Sequence, residues 1–397
     1  MKILMLSPVP THPPIAGNRV RILKLVDSLL AAGHTLHFAW IAMEDGDRHA
    51  MMKHFNGAFS ELMYRVPKVS LAARLRRRVQ RQLGWASAYV SGVDDWYDPG
   101  LTPQLAALHA QQGFDVVFVE YVFLSKALEV FPVEVVKILD THDRFADRHL
   151  HYLREGKEPE WFATTPDDER TGLMRADVVL AIQDVEAELF ASALQSRTRV
   201  LTVGHLLDLS QSVLPADLPR AIFVASGNSI NVDGAKAFIA DSLPLIRYEL
   251  PDFEFWLAGD VCRQVPDAPG IRKLGRVNSV AQTYAKGALA VNPVRMGTGL
   301  NIKTMECLAL GVPLVTTVSG SRGLEGLRGQ AFLVVPDDDG RAMAMAVIRL
   351  LHDHALRGML MQNALSAARA WNNKQLETLE RALHKLTLAS DHKVVQR

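Results

Sequence analysis

Cysteine is nearly missing: Cys262 and Cys307 are the two in 397 residues, and neither has a metal-type partner close in sequence. That excludes a disulfide framework and suits a reducing compartment. Long apolar runs are missing too, since no stretch reaches the ~18 residues of a spanning helix. The opening Met-Lys-Ile-Leu-Met-Leu-Ser-Pro is too short for a signal peptide and reads as a first strand. A cytoplasmic protein is expected. Neither sign of charge is in excess, with 44 Lys and Arg against 43 Asp and Glu, so charge makes no case for nucleic acid. A His-Glu-x-x-His pattern is absent. His142, His149 and His151 gather near Asp143 and Asp147, at no metal-binding spacing, and read as a charged, solvated segment. Neither a metal nor another cofactor is expected.

What is present is alternation. Short apolar runs occur at Lys2–Ser7, His34–Ala42, Glu61–Val66, Asp115–Tyr121, Val135–His142, Asp177–Gln183 and Arg199–Gly204. They recur at Ala221–Ser226, Glu254–Gly259, Ile271–Arg276, Leu289–Val294, Pro313–Thr317 and Ala331–Val335. Helical patterns lie between several of them. The clearest is Val20–Ala32, where Val20, Leu23, Val26, Leu29 and Leu30 predict one face before the stop at Gly33. Such alternation predicts α/β architecture with parallel sheets covered on both faces. Residues 206–220 lack a strand pattern and read as a hinge between domains at 1–205 and 221–375, with a C-terminal helix and tail at 376–397. Ligands of two doubly wound domains belong at the carboxyl ends of the strands, in a cleft the domains face.

The most informative stretch runs from Asn292 to Gly311: Asn-Pro-Val-Arg-Met-Gly-Thr-Gly-Leu-Asn-Ile-Lys-Thr-Met-Glu-Cys-Leu-Ala-Leu-Gly. A strand passes through a turn with Gly297 and Gly299 into a helix, and a second strand follows. A turn of this kind offers free backbone N–H groups to a phosphate. Helical side chains lean toward the N-terminus, so Lys303 can reach a phosphate and Glu306 the paired hydroxyls of a ribose. A nucleotide-sugar pocket is one reading. The other is a plain crossover connection with both side chains on a wet face. Gly17 and Asn18 form a similar strand-to-helix turn after the first strand.

In order, these pieces resemble the retaining, family 4 type of glycosyltransferase with the GT-B fold. The likeness rests on Ala32-Gly33-His34, Asp115–Val117, Leu139-Asp140-Thr141-His142-Asp143 and Ala176–Ala181, then Asn231–Gly234, Leu257–Gly259, Leu274–Val277 and the block Gly297 to Pro313. The resemblance implies two Rossmann-like domains, with C-terminal helices crossing back to the first. It implies transfer of a sugar from a nucleotide-sugar donor to a glycan, lipid-linked or protein acceptor, in glycan, glycolipid or cell-surface polysaccharide synthesis and without a bound metal. Donor contacts would come from Arg295, Gly297, Thr298, Gly299, Leu300, Asn301, Lys303 and Glu306, with the base near Val277. Acceptor contacts would come from Gly17 and Asn18.

Three departures from the family pattern matter. The first carboxylate of its E-x7-E arrangement is replaced by Thr298, leaving Glu306 alone. The loop Ser226-Gly227-Asn228-Ser229-Ile230-Asn231 lacks the usual Arg and Lys, which leaves Arg295 and Lys303 to face a diphosphate. The catalytic His position is taken by Glu120, and His142 is the second catalytic candidate. A nucleotide-sugar 2-epimerase-like isomerase and a non-catalytic nucleotide-sugar-binding protein remain as alternatives.

From Arg65 to Arg81 there are seven basic residues and no acid. Read as a helix over 68–83, the segment has Leu71, Ala72, Leu75, Val79 and Leu83 in one stripe. The Arg74–Arg81 cluster then suits an anionic membrane surface, on which the chain would sit peripherally at the inner face. A plain surface helix packed on the first domain and a dock for a phosphate-bearing acceptor are the alternatives.

Overall fold

The computed structural model describes residues 1–384 except 15, 68–70, 155, 157, 160, 196–197 and 297–299, with the backbone alone at 71–74. The chain divides into two units, Met1–Leu206 with Gln375–Arg397, and Leu207–Lys374. The last helix, His354–Ala382, starts in the second unit and ends in the first.

The first unit holds strands β1 (Lys2–Ser7), β2 (Thr35–Ile41), β3 (Phe59–Leu62), β4 (Val116–Glu120), β5 (Val136–Asp140), β6 (Val178–Ala181) and β7 (Arg199–Thr202). They form one seven-stranded parallel sheet in the order β3-β2-β1-β4-β5-β6-β7. The second holds β8 (Arg220–Val224), β9 (Glu254–Ala258), β10 (Ile271–Lys273), β11 (Leu289–Asn292), β12 (Leu314–Thr317) and β13 (Leu333–Val335). Its six-stranded parallel order is β10-β9-β8-β11-β12-β13. Each of the thirteen apolar runs contains or overlaps a strand, and both sheets are doubly wound. The order reverses between β1 and β4 in one sheet and between β8 and β11 in the other. These are the switch points where ligands of such sheets bind.

Side-chain alternation explains how the second sheet is covered on both faces. Phe223, Leu257, Val291 and Val315 pack with Val347 and Leu360, whereas their neighbours Ile222, Trp256, Ala290 and Leu314 pack with Met305 and Leu308. Helix Ile302–Leu310 therefore lies on one face and helix Gly340–His352 on the other.

Two expectations need correcting. The third strand ends at Leu62, not Val66, because β2 runs out opposite it. The next backbone N–H groups go to side chains, Met63 to Gln104 and Arg65 to the Asp98 carboxylate. On the first helix, Gly17–Ala31, the buried face is Arg21, Ile22, Leu25, Val26 and Leu29. It is rotated from the predicted stripe because an arginine, neutralised inside, belongs to it. Among the described residues no helix is long and apolar enough to cross a membrane.

Candidate active site

Strand β4, which borders the switch point of the first sheet, ends in Glu120, and its other neighbour β5 ends in Asp140, directly opposite in the register. Both carboxylates are completely buried. An isolated buried charge is costly and must be paired or neutralised. Asp140 is paired. The Arg21 guanidinium grips it through Nε and Nη2 at 2.9 and 2.8 Å, and donates its other hydrogens to the Val203 and Gly204 carbonyls. Glu120 takes the other solution. Its Oε2 lies 2.5 Å from His142 Nε2, and its Oε1 has no partner among the described residues. Burial, then the nearby Asp140, pushes the Glu120 pKa from 4.5 up to about 7, while His142 and Arg21 oppose the rise. A carboxyl titrating near neutrality is a fit donor or acceptor of a proton.

The imidazole is fixed by its surroundings. Tyr121 stacks on His142 with ring centroids 4.1 Å apart, and both residues have positive φ, 71° and 61°. Side chains rarely adopt that conformation, and it gathers at functional sites. The Tyr121 hydroxyl accepts a hydrogen bond from Asn18 Nδ2 at 3.1 Å. The first-helix turn is thereby tied to the Glu120–His142 pair. Gly17 lies exposed, with open space where a Cβ would stand. Sequence reasoning set Glu120 and His142 against each other as candidates, and the structure brings them together.

Glu120, Asp140 and His142 offer ligand atoms within 4.8 Å of one another, close enough to hold a cation. Arg21 already supplies positive charge there and occupies both Asp140 oxygens.

At the switch point of the second sheet, β11 ends in Asn292. Its Nδ2 donates to Asn301 Oδ1 at 2.9 Å and to Thr304 Oγ1 at 3.1 Å. Asn301 caps helix Ile302–Leu310 by accepting from the Thr304 N–H, and Thr304 donates to the Gly320 carbonyl at 2.6 Å. The two ends of the 293–300 connection are thus pinned to each other and to the segment after β12. Gly297, Thr298 and Gly299 lie outside the described residues. The helix stops at Gly311, whose φ of 69° suits a glycine C-cap.

Lys303 and Glu306 occupy the first two turns of this helix, both half-buried. Burial lowers the Lys303 pKa and raises that of Glu306, and each opposes the other's shift through their attraction. Leu300 and Val277 are also half-buried. Val277 follows Gly275, whose φ is 68° and whose carbonyl accepts from the Gly259 N–H at 2.7 Å. Arg295, expected beside a diphosphate, is ion-paired to Asp241 at 2.7 Å and lies 3.8 Å from Asp338. In the Ser226–Asn231 loop, Asn228 caps helix Ser229–Ala237 and the buried Asn231 side chain donates to Ser226.

Sequence reasoning missed Arg21, Asn292, Thr304 and the role of Tyr121. The signal for Arg21 was its place between apolar positions of one helix face.

Residues 219–353 match the family described as glycosyl transferases group 1. No curated protein matches the chain. Among solved structures, sucrose-phosphate synthase from Thermosynechococcus elongatus is similar at a TM-score of 0.62 and 16% identity, over 96% of this chain and 98% of that one. HepE of Anabaena, in complex with UDP and glucose, is similar at 0.60 and 15%, over 96% and 99%. A glycosyltransferase from Rickettsia africae is similar at 0.61 and 10%, over 96% and 98%.

Proposed function

We propose that this chain, whose residues 219–353 form a group 1 glycosyltransferase domain on a GT-B fold, moves a sugar from a nucleoside-diphosphate donor to an acceptor hydroxyl with retention at the anomeric carbon. The observation that carries the reading is the Glu120–His142 pair, buried, linked at 2.5 Å and placed beside a sheet's switch point. An acceptor hydroxyl must lose its proton as its oxygen bonds to the anomeric carbon. The Glu120 carboxyl, titrating at about 7, can take that proton near neutral pH.

The second unit binds the donor in this reading. The first backbone N–H groups of helix Ile302–Leu310 have no intrahelical acceptors and favour a phosphate. As the bond from the anomeric carbon to the diphosphate oxygen breaks, charge grows on the leaving group. Lys303 and the helix N-terminus face that charge, so no resident metal is required. Glu306 takes the ribose hydroxyls, and the base lies against the Gly275–Val277 turn. Arg295 acts less directly, since Asp241 already neutralises it. The second unit's loop Ser226–Asn231 adds another capped helix N-terminus.

The first unit binds the acceptor, a glycan, lipid-linked or protein hydroxyl, beside Gly17, Asn18 and the Tyr121 hydroxyl. Two free, buried cysteines suit a cytoplasmic setting.

The test is a panel of nucleotide sugars with the purified chain, reading released nucleoside diphosphate and the anomeric configuration of any product. Transfer with retention is expected. An isomerised nucleotide sugar without diphosphate release is the epimerase outcome, and donor binding without turnover is the outcome for a binding protein. Either contradicts the proposal.

A further inference from the structure

Over its described side chains, the helix Leu71–Gln82 turns its apolar residues away from the protein. Among its described side chains, positions 75–82, none is buried, and the two partly covered ones are polar, Arg77 and Gln80. Arg77 reaches the Val90 carbonyl and the Asp95 carboxylate. Arg81 pairs with Glu158 and lies over the Tyr89 ring. Leu75, Val79 and Leu83 are instead 64%, 45% and 58% exposed, and Trp85 just beyond is 55% exposed. An ordinary surface helix does the reverse, with its apolar stripe inward.

Helical geometry arranges these residues further. Successive positions stand about 100° apart, so Leu75, Val79 and Leu83 share one narrow arc. Arg76 and Arg78 flank that arc on opposite sides, both exposed. Arg77 and Arg81 lie on the far side, toward their own chain.

We propose that this helix docks the protein on an anionic lipid bilayer. It lies in the headgroup plane with Leu75, Val79 and Leu83 among the upper acyl chains and Arg76 and Arg78 on lipid phosphates. Interfacial helices have this layout, and an exposed indole at one end suits the same boundary. Charge selects the occupant. Arg76 and Arg78 flank the arc, and the sequence from Arg65 to Arg81 contains no acid in a chain whose formal net charge is only +1, so the face complements negative charge. A second copy presenting the same face would set arginine against arginine. A soluble phosphate-bearing ligand would leave the apolar arc in water. The proposal holds whichever sugar is transferred.

The experiment is co-sedimentation of the full chain with phosphatidylcholine vesicles, with and without phosphatidylglycerol. Binding is expected to the anionic vesicles alone and should weaken as salt shortens the Debye length. Two variants separate the contributions: Leu75→Gln with Val79→Gln and Leu83→Gln, and Arg76→Glu with Arg78→Glu. Both should keep the far-ultraviolet circular dichroism and melting midpoint of the unmodified chain, because the changed side chains touch little. Each should lower the partition by about tenfold or more. The proposal is overturned if the unmodified chain stays in the supernatant with anionic vesicles at low salt, or if folded variants partition unchanged. A lipid-free dimer that the glutamine variant turns monomeric overturns it as well, by giving the arc to a second copy.

Discussion

Arg21 holds Asp140 by two parallel hydrogen bonds, 2.9 and 2.8 Å, inside the first unit. With Asp140 committed to a cation, the neighbouring Glu120 carboxyl lies against His142 instead, 2.5 Å from its Nε2. Removing the guanidinium leaves a buried carboxylate without its partner. Arg21→Met should therefore cost ~3–5 kcal/mol in urea unfolding. Adding Asp140→Asn should recover a large part of that loss. A cost no larger than a surface substitution would show that the pair does not support the fold.

Stability should depend on pH with a definite sign. Burial raises both Glu120 and Glu186 from 4.5 to about 7. Between those values the folded state holds more protons than the unfolded state, so stability is greatest at the acid end and falls as pH rises through about 7. Glu186→Gln removes one such carboxyl, keeps an acceptor for Gln183 and lies outside the reacting pair. Its melting midpoint should exceed that of the unmodified chain at pH 8 and differ less at pH 5. The opposite trend would mean that Glu186 is stabilised as a carboxylate.

The Asn292–Thr304 network sets the start of the helix expected to bind the donor. Thr304→Val deprives the Gly320 carbonyl of a donor and the buried Asn292 amide of an acceptor. A loss of ~1–3 kcal/mol in stability is expected, together with weaker donor binding as the Asn301 cap loosens. Unchanged donor affinity in a destabilised variant would confine the network to a structural role.

Glu306→Ala should weaken donor binding by ~1.5–3 kcal/mol, the value of a hydrogen bond to a charged group. Lys303→Met should reduce turnover more than binding, because charge grows on the leaving diphosphate in the transition state. Titration calorimetry and steady-state kinetics separate the two. Equal affinity in Glu306→Ala would remove the ribose role.

The strand pattern was legible because apolar runs of five to nine residues, broken by turn residues and alternating with helical patterns, suit parallel sheets covered on both faces. Glu120 was legible by register after Asp115-Val116-Val117. Its partnership with His142 was not, since 22 residues separate them and only the β4–β5 register closes the distance. Arg21 was hidden because a charge within a helix reads as solvent-facing until its partner, 119 residues on, is known. The ion pair of Arg295 was hidden for the same reason: its partner, Asp241, is 54 residues away. For the basic helix the sequence revealed the stripe and the charge. It could not reveal that Leu75, Val79 and Leu83 face outward, because that depends on what the helix packs against; the side chains of Leu71 and Ala72 lie outside those described.

In the proposed transfer, Glu120 takes the proton of the acceptor hydroxyl. Comparing Glu120→Gln with the unmodified chain, for donor affinity by calorimetry and for turnover in the transfer assay, tests that role. The substitution keeps the side-chain shape and removes the titrating group. Donor affinity should hold within a factor of about two while turnover falls by ~10²-fold or more. Full turnover in Glu120→Gln would show that another group takes the proton.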